Sequence, residues 1–219
     1  MIGAVVAMGQ IHRVIRNATL FAGLMSLVVG CAGQEQGSAT AWYGEQNGVP
    51  PKTSKIFICH GFGCNLKTAV RFSPGDIEEL RGILAEGEGS ASQERIAIAK
   101  AVQWQEKRVG PIVGSDKDIG GLDMRNANVP GQMDCIDEST NTTSLLLVAE
   151  ENGMLTHHRV GRPVARGFLL DGRYPHATAS IIEFDTGTAY AVDSWPQANA
   201  EKPDVILLST WMKTWPDYF

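Results

Sequence analysis

Two spacings of apolar residues divide the chain into a helical part and a strand part. From Ser73 to Glu151, apolar residues between capping and breaking signals recur at helical spacing, which predicts helices. From Leu155 onward, short apolar runs alternate with turn residues, which predicts strands. The predicted helices cover about 74–84, 93–109, 135–151 and 209–213, and the predicted strands cover 55–59, 68–72, 157–160, 164–170, 176–184, 189–195 and 205–208. Helices followed by an antiparallel β meander indicate the α+β class.

The apolar pattern is interrupted between residues 110 and 131, where glycine, proline and charged residues are frequent. This composition predicts a long surface loop, which we interpret as a rim over a cleft. The stretch from Gly114 to Gly121 superficially resembles a phosphate or calcium loop but matches neither spacing. We therefore predict no cofactor and no metal ligand.

The first thirty-one residues resemble a bacterial lipoprotein signal. They contain no acidic residue, and Arg13 and Arg16 precede an apolar run from Ala18 to Gly30 that ends at Cys31. The predicted organisation is a signal peptide over 1–30, lipidation of Cys31, a flexible tether over 31–53 and one enzyme domain over 54–219. The alternatives are an ordinary signal cleaved near Ala32 or Ala39, and a true start at Met8.

Composition and charge narrow the class of protein. The chain has 219 residues, of which 43% are hydrophobic and 20% are charged, values typical of a globular domain. Its net charge is -5 and it has no basic run, which argues against nucleic-acid binding. We predict that the protein faces the periplasm from the bacterial envelope, with the lipid on Cys31 as its only membrane attachment.

The four cysteines have separate predicted roles. Cys59 and Cys64 are five positions apart, and in an oxidising compartment this spacing favours a local disulfide. With Cys31 lipidated, Cys135 is left as a free thiol. The alternatives are Cys64 as a nucleophile with His60, a zinc site that adds His157 and His158, and a thiol-redox pair without the usual Cys-x-x-Cys spacing.

Cys135, His176 and Asp193 occur in an order that suggests nucleophilic catalysis. Cys135 begins a predicted helix that Asp134 could cap, and a helix N-terminus lowers the pKa of a thiol. His176 begins one strand and Asp193 lies near the end of the next. A turn between Phe184 and Asp185 would place His176 opposite Asp193, whereas a turn centred on Thr186 would place Asp193 opposite Ala179.

This order resembles the transglutaminase-like, papain-related cysteine enzymes, over about Met133–Trp195. The segments His176-Ala-Thr-Ala-Ser and Tyr190-Ala-Val-Asp-Ser-Trp are similar to the His and Asp strands of that superfamily. The segment from Gly131 to Thr143 also resembles a group of uncharacterised proteobacterial exported proteins. The resemblance implies a transglutaminase/papain-like core with Cys135 as nucleophile, His176 as base and Asp193 as the residue that orients it. Gln132 is the candidate oxyanion donor, with the backbone N–H of Cys135.

Two functions follow as expectations. The first is a lipid-anchored cysteine hydrolase or acyl transferase acting on an amide or peptide bond of a peptide or cell-envelope substrate. The second is a non-catalytic envelope lipoprotein on the same fold, in which Cys135 is a buried structural thiol. The acidic neighbours Asp134, Asp137 and Glu138 favour the second, because negative charge raises the pKa of a thiol.

Overall fold

A computed structural model describes residues 38–121, 124–167 and 175–214, and it confirms the α+β class. The helical part contains α1 (Ala39–Glu45), the hairpin β1 (Lys55–His60) and β2 (Leu66–Arg71), α2 (Pro74–Ala85), α3 (Ala91–Val113), two 3₁₀ turns (Ser115–Lys117 and Met124–Asn126) and α4 (Cys135–Glu151). The strand part contains β3 (His158–Val160), β4 (Val164–Arg166), β5 (His176–Glu183), β6 (Ala189–Asp193), β7 (Asp204–Leu207) and the short helix α5 (Leu208–Trp211).

The strand part forms a five-stranded antiparallel sheet in the order β3-β5-β6-β7, and β4 also pairs with β5. Strand β3 pairs with the end of β5 around Ile182, and β4 pairs with its beginning, where Ala165 faces Ala177. The strands β5, β6 and β7 are consecutive neighbours, which is the predicted meander. The β1–β2 hairpin is a separate two-stranded sheet.

Helix ends follow the predicted capping chemistry, with one exception. Ser73 caps α2 through its hydroxyl, which accepts from the N–H of Asp76 at 3.1 Å, and Pro74 is the first helical residue. Helix α3 continues past its predicted end at residue 109, and Gly110 and Pro111 lie in its last turn. It ends at Gly114, whose φ of 87° is a left-handed conformation that favours glycine.

Helix α4 is the central element, and its two halves are buried in different ways. The C-terminal half contributes Leu145 and Leu146 to the main apolar core, together with Ile58 of the hairpin and Ile181 of the sheet. The N-terminal half is polar yet buried from Ser139 to Ser144. Its hydroxyl groups donate to carbonyls one turn earlier, and these bonds satisfy groups that would otherwise be costly to bury.

Residues 38–53 are part of the fold, so the tether predicted over 31–53 is wrong for this stretch. Helix α1 packs on α4: the indole of Trp42 donates to the hydroxyl of Thr140 at 2.9 Å, and the Tyr43 hydroxyl bonds Ser144 at 2.8 Å. Burial of these two aromatic side chains outweighs the flexible composition of the segment. The predicted signal peptide and Cys31 lie outside the described residues. No helix within the described ranges is long and apolar enough to span a membrane.

Candidate functional site

The first residue of α4 is Cys135, as predicted, and Asp134 is the N-cap. One carboxylate oxygen of Asp134 accepts the backbone N–H groups of Ile136 at 3.1 Å and Asp137 at 2.9 Å. The carboxylate of Asp137 accepts in return from the N–H of Asp134 at 3.3 Å, which completes a capping box. Hydrogen bonds at the residue before Cys135 and at the residues after it therefore fix the backbone of Cys135.

The predicted disulfide between Cys59 and Cys64 is present, and the loop that it closes holds the start of α4. The φ angle is positive at four consecutive residues of this loop, Gly61, Phe62, Gly63 and Cys64, so their N–H groups turn to one side. The N–H groups of Phe62 and Cys64 donate to Asp137, and that of Gly63 donates to Asp134. This arrangement was not predicted from the sequence, although the Gly-x-Gly spacing inside the Cys pair was a signal for it.

His176 and Asp193 form a buried pair. The His176 Nε2 and the Asp193 Oδ2 are 2.7 Å apart, and the indole N–H of Trp211 donates to the same oxygen at 2.7 Å. The imidazole also packs on the rings of Trp195 and Trp211, at centroid distances of 4.6 and 5.3 Å. The aspartate and the two indoles fix the orientation of the ring.

The hairpin register that brings this pair together differs from both predicted registers. Val192, not Asp193, lies opposite Ala179. Continued by one residue, this pairing sets Asp193 level with Thr178, on the same face of the sheet as His176 and diagonal to it. Diagonal neighbours are within reach of an imidazole and a carboxylate, so the two side chains meet without being directly opposite.

Cys135 lies beside this pair. The backbone N–H of Ala177, the residue after His176, is close enough to the Cys135 sulfur to lower the pKa of the thiol. Cys135, Ala177 and Trp195 pack in one small apolar cluster with Trp42. His176 Nδ1 is buried and has no hydrogen-bond partner, and among the described residues no hydrogen bond joins it to the Cys135 sulfur.

The pKa of the thiol follows burial and the acidic neighbours rather than the helix N-terminus. Burial, followed by the negative charge of Asp134, raises the pKa of Cys135 to about 12. The N–H of Ala177 lowers it by less than these effects raise it, and the charge of Asp193 adds to the increase. The prediction of a lowered pKa at the helix N-terminus was wrong, because burial among carboxylates outweighs the helix dipole.

Gln132, the predicted oxyanion donor, is held by other groups. Its Nε2 donates to the carbonyl of Lys117 at 3.1 Å, and its Oε1 accepts from the side chain of Asn126 at 3.1 Å. The carboxamide thus connects the segment before α4 to the two 3₁₀ turns. Its oxyanion role stays a prediction.

The side chains of the alternative sites predicted from the sequence are bonded to other groups of the fold. The sulfurs of Cys59 and Cys64 are bonded to each other, so they are not available to attack a substrate or, with nearby Asp137, to bind zinc. His60 bonds the hydroxyl of Thr68 at 2.9 Å, and its Nδ1 accepts from the N–H of Gly131 at 3.2 Å. His158 pairs with buried Glu94 at 2.7 Å.

A second buried polar region lies between α3 and α4. It is a small cavity next to the carboxylates of Glu106 and Glu138. Burial and the charge of Glu138 raise the pKa of Glu106 to about 9, and burial with the charge of Asp118 raises the pKa of Glu138 to about 8. The cavity is lined by Ile58, Val102, Gln105, Glu106, Val109, Ser115, Met133, Glu138, Asn141, Thr142 and Asn199.

Comparison with known proteins gives no match: no family model, no curated protein and no solved structure is similar to this chain. The function is therefore inferred from the geometry of the side chains.

Proposed function

We propose that this protein is a cysteine hydrolase or acyl transferase with a transglutaminase/papain-like core, in which Cys135 attacks an amide or peptide bond. The observation that supports it best is the state of His176. Asp193 holds the Nε2 of a buried imidazole and leaves Nδ1 without a partner, one residue from the N–H that contacts the Cys135 sulfur. A buried, oriented and unpaired ring nitrogen is a suitable general base.

The proposed reaction has two proton-transfer stages at the same nitrogen. The Cys135 sulfur attacks the carbonyl carbon while its proton moves to His176 Nδ1, and that proton then passes to the leaving amine as the C–N bond breaks. Water attacks the carbonyl carbon of the resulting thioester and gives a proton to Nδ1. That proton passes to the Cys135 sulfur as the C–S bond breaks and the acid product leaves, which restores the thiol. Asp193 and Trp211 keep the ring in place and stabilise its charged form.

The raised pKa of Cys135 determines the order of these events. A thiol with a pKa of about 12 keeps its proton at neutral pH, so His176 removes the proton during the attack and no ion pair forms beforehand. The backbone N–H of Cys135 is the expected stabiliser of the oxyanion, because Asp134 already accepts from the N–H groups of Ile136 and Asp137.

The proposal also includes a substrate class and a location. Peptides or cell-envelope material are the proposed substrates, with the lipid on Cys31 as the attachment to the envelope and no nucleic-acid partner. Water is the proposed acceptor, because the sequence shows no feature of an amine-binding site.

A non-catalytic envelope lipoprotein is the second candidate function. The burial of Cys135, 7% exposed, together with its raised pKa, favours this candidate, because both features are typical of a structural thiol. In that case the protein would act as a binding or scaffold module.

Acylation of Cys135 by p-nitrophenyl acetate tests the catalytic proposal, because this small ester forms the same thioester without a known substrate. We expect an acetyl group on Cys135 by peptide mass mapping at pH 7.5, and none in Cys135→Ala. His176→Gln should slow acylation by about 100-fold, since glutamine can still donate to Asp193 but is not a base.

The matched control is His157→Gln, which changes a histidine whose Nε2 faces the carbonyl of Glu88, and it should acylate at the wild-type rate. Circular dichroism would verify that both variants are folded. Equal acylation rates in wild type and folded His176→Gln would refute the catalytic proposal and favour the non-catalytic candidate.

A further inference from the structure

The cavity between α3 and α4 collects oxygen atoms that have no partner. Four buried polar atoms of its lining make no hydrogen bond: Gln105 Oε1, Glu106 Oε1, Ser115 Oγ and Asn199 Oδ1. Gln105 is 3% exposed and Ser115 is fully buried. Buried polar groups are nearly always hydrogen-bonded, so four orphaned oxygens around one cavity need a common explanation.

The other polar atoms of these side chains are already engaged, which fixes the orphaned ones in place. Gln105 Nε2 donates to the carbonyl of Asn141 at 3.2 Å, so its oxygen is the atom left over. Glu106 Oε2 accepts from the N–H of Ala200 at 2.5 Å, and Glu138 Oε2 accepts from the hydroxyl of Ser194 at 2.8 Å. Each carboxylate therefore has one oxygen bound to the protein.

The unpaired atoms need a hydrogen-bond donor or a positive charge beside them, because nearly all of them are acceptors. Carboxylate and carboxamide oxygens only accept, and the Ser115 hydroxyl supplies a single proton. The charged groups that act most strongly on Glu106 and Glu138 are all acidic, among them Asp118. When Glu106 and Glu138 are both ionised, one water supplies two protons, fewer than the three unpaired acceptor oxygens. A cation that displaces their protons can bind every one of these oxygens and compensate the buried charge.

We propose that this cavity is a calcium site, with Gln105, Glu106, Ser115, Glu138 and Asn199 as its oxygen ligands. Oxygen-only ligand sets that include two carboxylates are typical of Ca²⁺. The cavity has a volume of about 10 Å³, enough for one ion. Mg²⁺ releases its waters reluctantly, so the small cavity favours Ca²⁺.

The site was not apparent in the sequence, where we predict no metal ligand. Its ligands come from α3, the 3₁₀ turn after it, α4 and the loop after β6, so they form no continuous motif. Ser115 is the only one within the Gly114–Gly121 segment, which matches no calcium loop. A bound ion would connect α3 and α4 to the loop at Asn199 and, through Glu138, to Ser194 beside Asp193.

Thermal unfolding of the purified protein, after EDTA treatment and buffer exchange, tests this proposal without an activity assay. Addition of Ca²⁺ at about 100-fold above its Kd should raise the Tm by about 5–10 °C. Isothermal titration calorimetry should give one Ca²⁺ per chain, with Mg²⁺ binding at least about 10-fold more weakly.

Two variants at the site and one control make the test specific. Glu106→Gln keeps the shape but cannot become a carboxylate when the ion binds, and Asn199→Ala removes a ligand from a loop; both should lose the Ca²⁺-dependent rise in Tm. Glu79→Gln, on an exposed position of α2, should keep it. The proposal is wrong if Ca²⁺ leaves the Tm of wild type unchanged or raises that of Glu106→Gln equally. The cavity would then hold water, or its carboxyl groups would keep their protons. Neither result depends on the chemistry of Cys135.

Discussion

Cys135 begins a helix and yet holds its proton more tightly than a free thiol does. Position on the helix could be predicted from sequence, because Asp134 is a good N-cap and the apolar pattern follows it. Burial could not be predicted, since it depends on Trp42 and Trp195, which lie far from Cys135 in the chain. The acidic neighbours in the sequence indicated a raised pKa and the helix N-terminus a lowered one, and only the packing decides between the two.

The same limit applies to His176 and Asp193. Their order along the chain suggested a pair, and the structure brings them to 2.7 Å. The second donor to Asp193, the indole of Trp211, was not predicted, because a tryptophan in a short helix after β7 is ordinarily a core residue.

The raised pKa of Cys135 predicts a loss of stability at alkaline pH. In the unfolded chain the thiol ionises near pH 9, whereas in the fold it ionises near pH 12, so the folded state keeps a proton that the unfolded state has lost. Stability should therefore fall as the pH rises above 9, by about 1 kcal/mol per pH unit from this group.

Urea unfolding of wild type and Cys135→Ala between pH 8 and 10.5 measures this effect. The difference in unfolding free energy between the two proteins should change with pH, because alanine does not titrate. Parallel pH curves would show that the folded protein accepts the thiolate as readily as water does, contrary to the geometry.

At the scale of elements, most helices and strands and the meander order of β5, β6 and β7 were predictable, and the strand register was not. Periodicity and capping residues predicted α2 and α4 to within a residue at each end. Helix α1 was missed because its sequence, Ala-Thr-Ala-Trp-Tyr-Gly-Glu, is short and has no apolar period of its own. The register of β5 and β6 was missed because the turn around Asp185 allows several pairings, and packing selects among them.

Asn141 of α4 connects this helix to β1, and its removal should destabilise the protein. Its carboxamide accepts from the N–H of Cys59 at 2.7 Å and donates to the carbonyl of the same residue at 2.9 Å. Asn141→Ala would leave both buried backbone groups unpaired and should cost about 2–4 kcal/mol in urea unfolding. The exposed Asn65→Ala serves as a control and should change stability by less than about 0.5 kcal/mol. A similarly small effect of Asn141→Ala would show that water replaces both bonds.

At the scale of the whole molecule, the proposed reaction and the proposed ion share helix α4. Cys135 lies at its first residue, and Glu138 follows one turn later, beside the cavity. Ser194, which bonds Glu138, is the residue after Asp193. The α+β class was predictable from the order of element types, whereas this adjacency arises only when α4 packs on the sheet.

The fold also changes the predicted link to the membrane. The described domain starts at Ser38, so seven residues, 31–37, separate the proposed lipid from it. Even fully extended, they span at most about 25 Å, whereas the predicted tether of 31–53 would reach about three times as far. A lipid on Cys31 would therefore hold the domain close to the membrane surface.

Replacement of Cys31 tests this attachment. Cys31→Ser removes the thiol that would carry the lipid. The protein should then move from the membrane fraction to the soluble fraction or accumulate unprocessed. The reason is that polar contacts of an acidic domain give no stable membrane binding. Fractionation of cells that express wild type and Cys31→Ser, with immunoblotting and mass spectrometry of the mature N-terminus, measures both outcomes. Ser38→Ala, at the exposed start of the described domain, is the control and should remain in the membrane fraction. Normal processing and retention of Cys31→Ser would contradict lipidation and favour an ordinary cleaved signal.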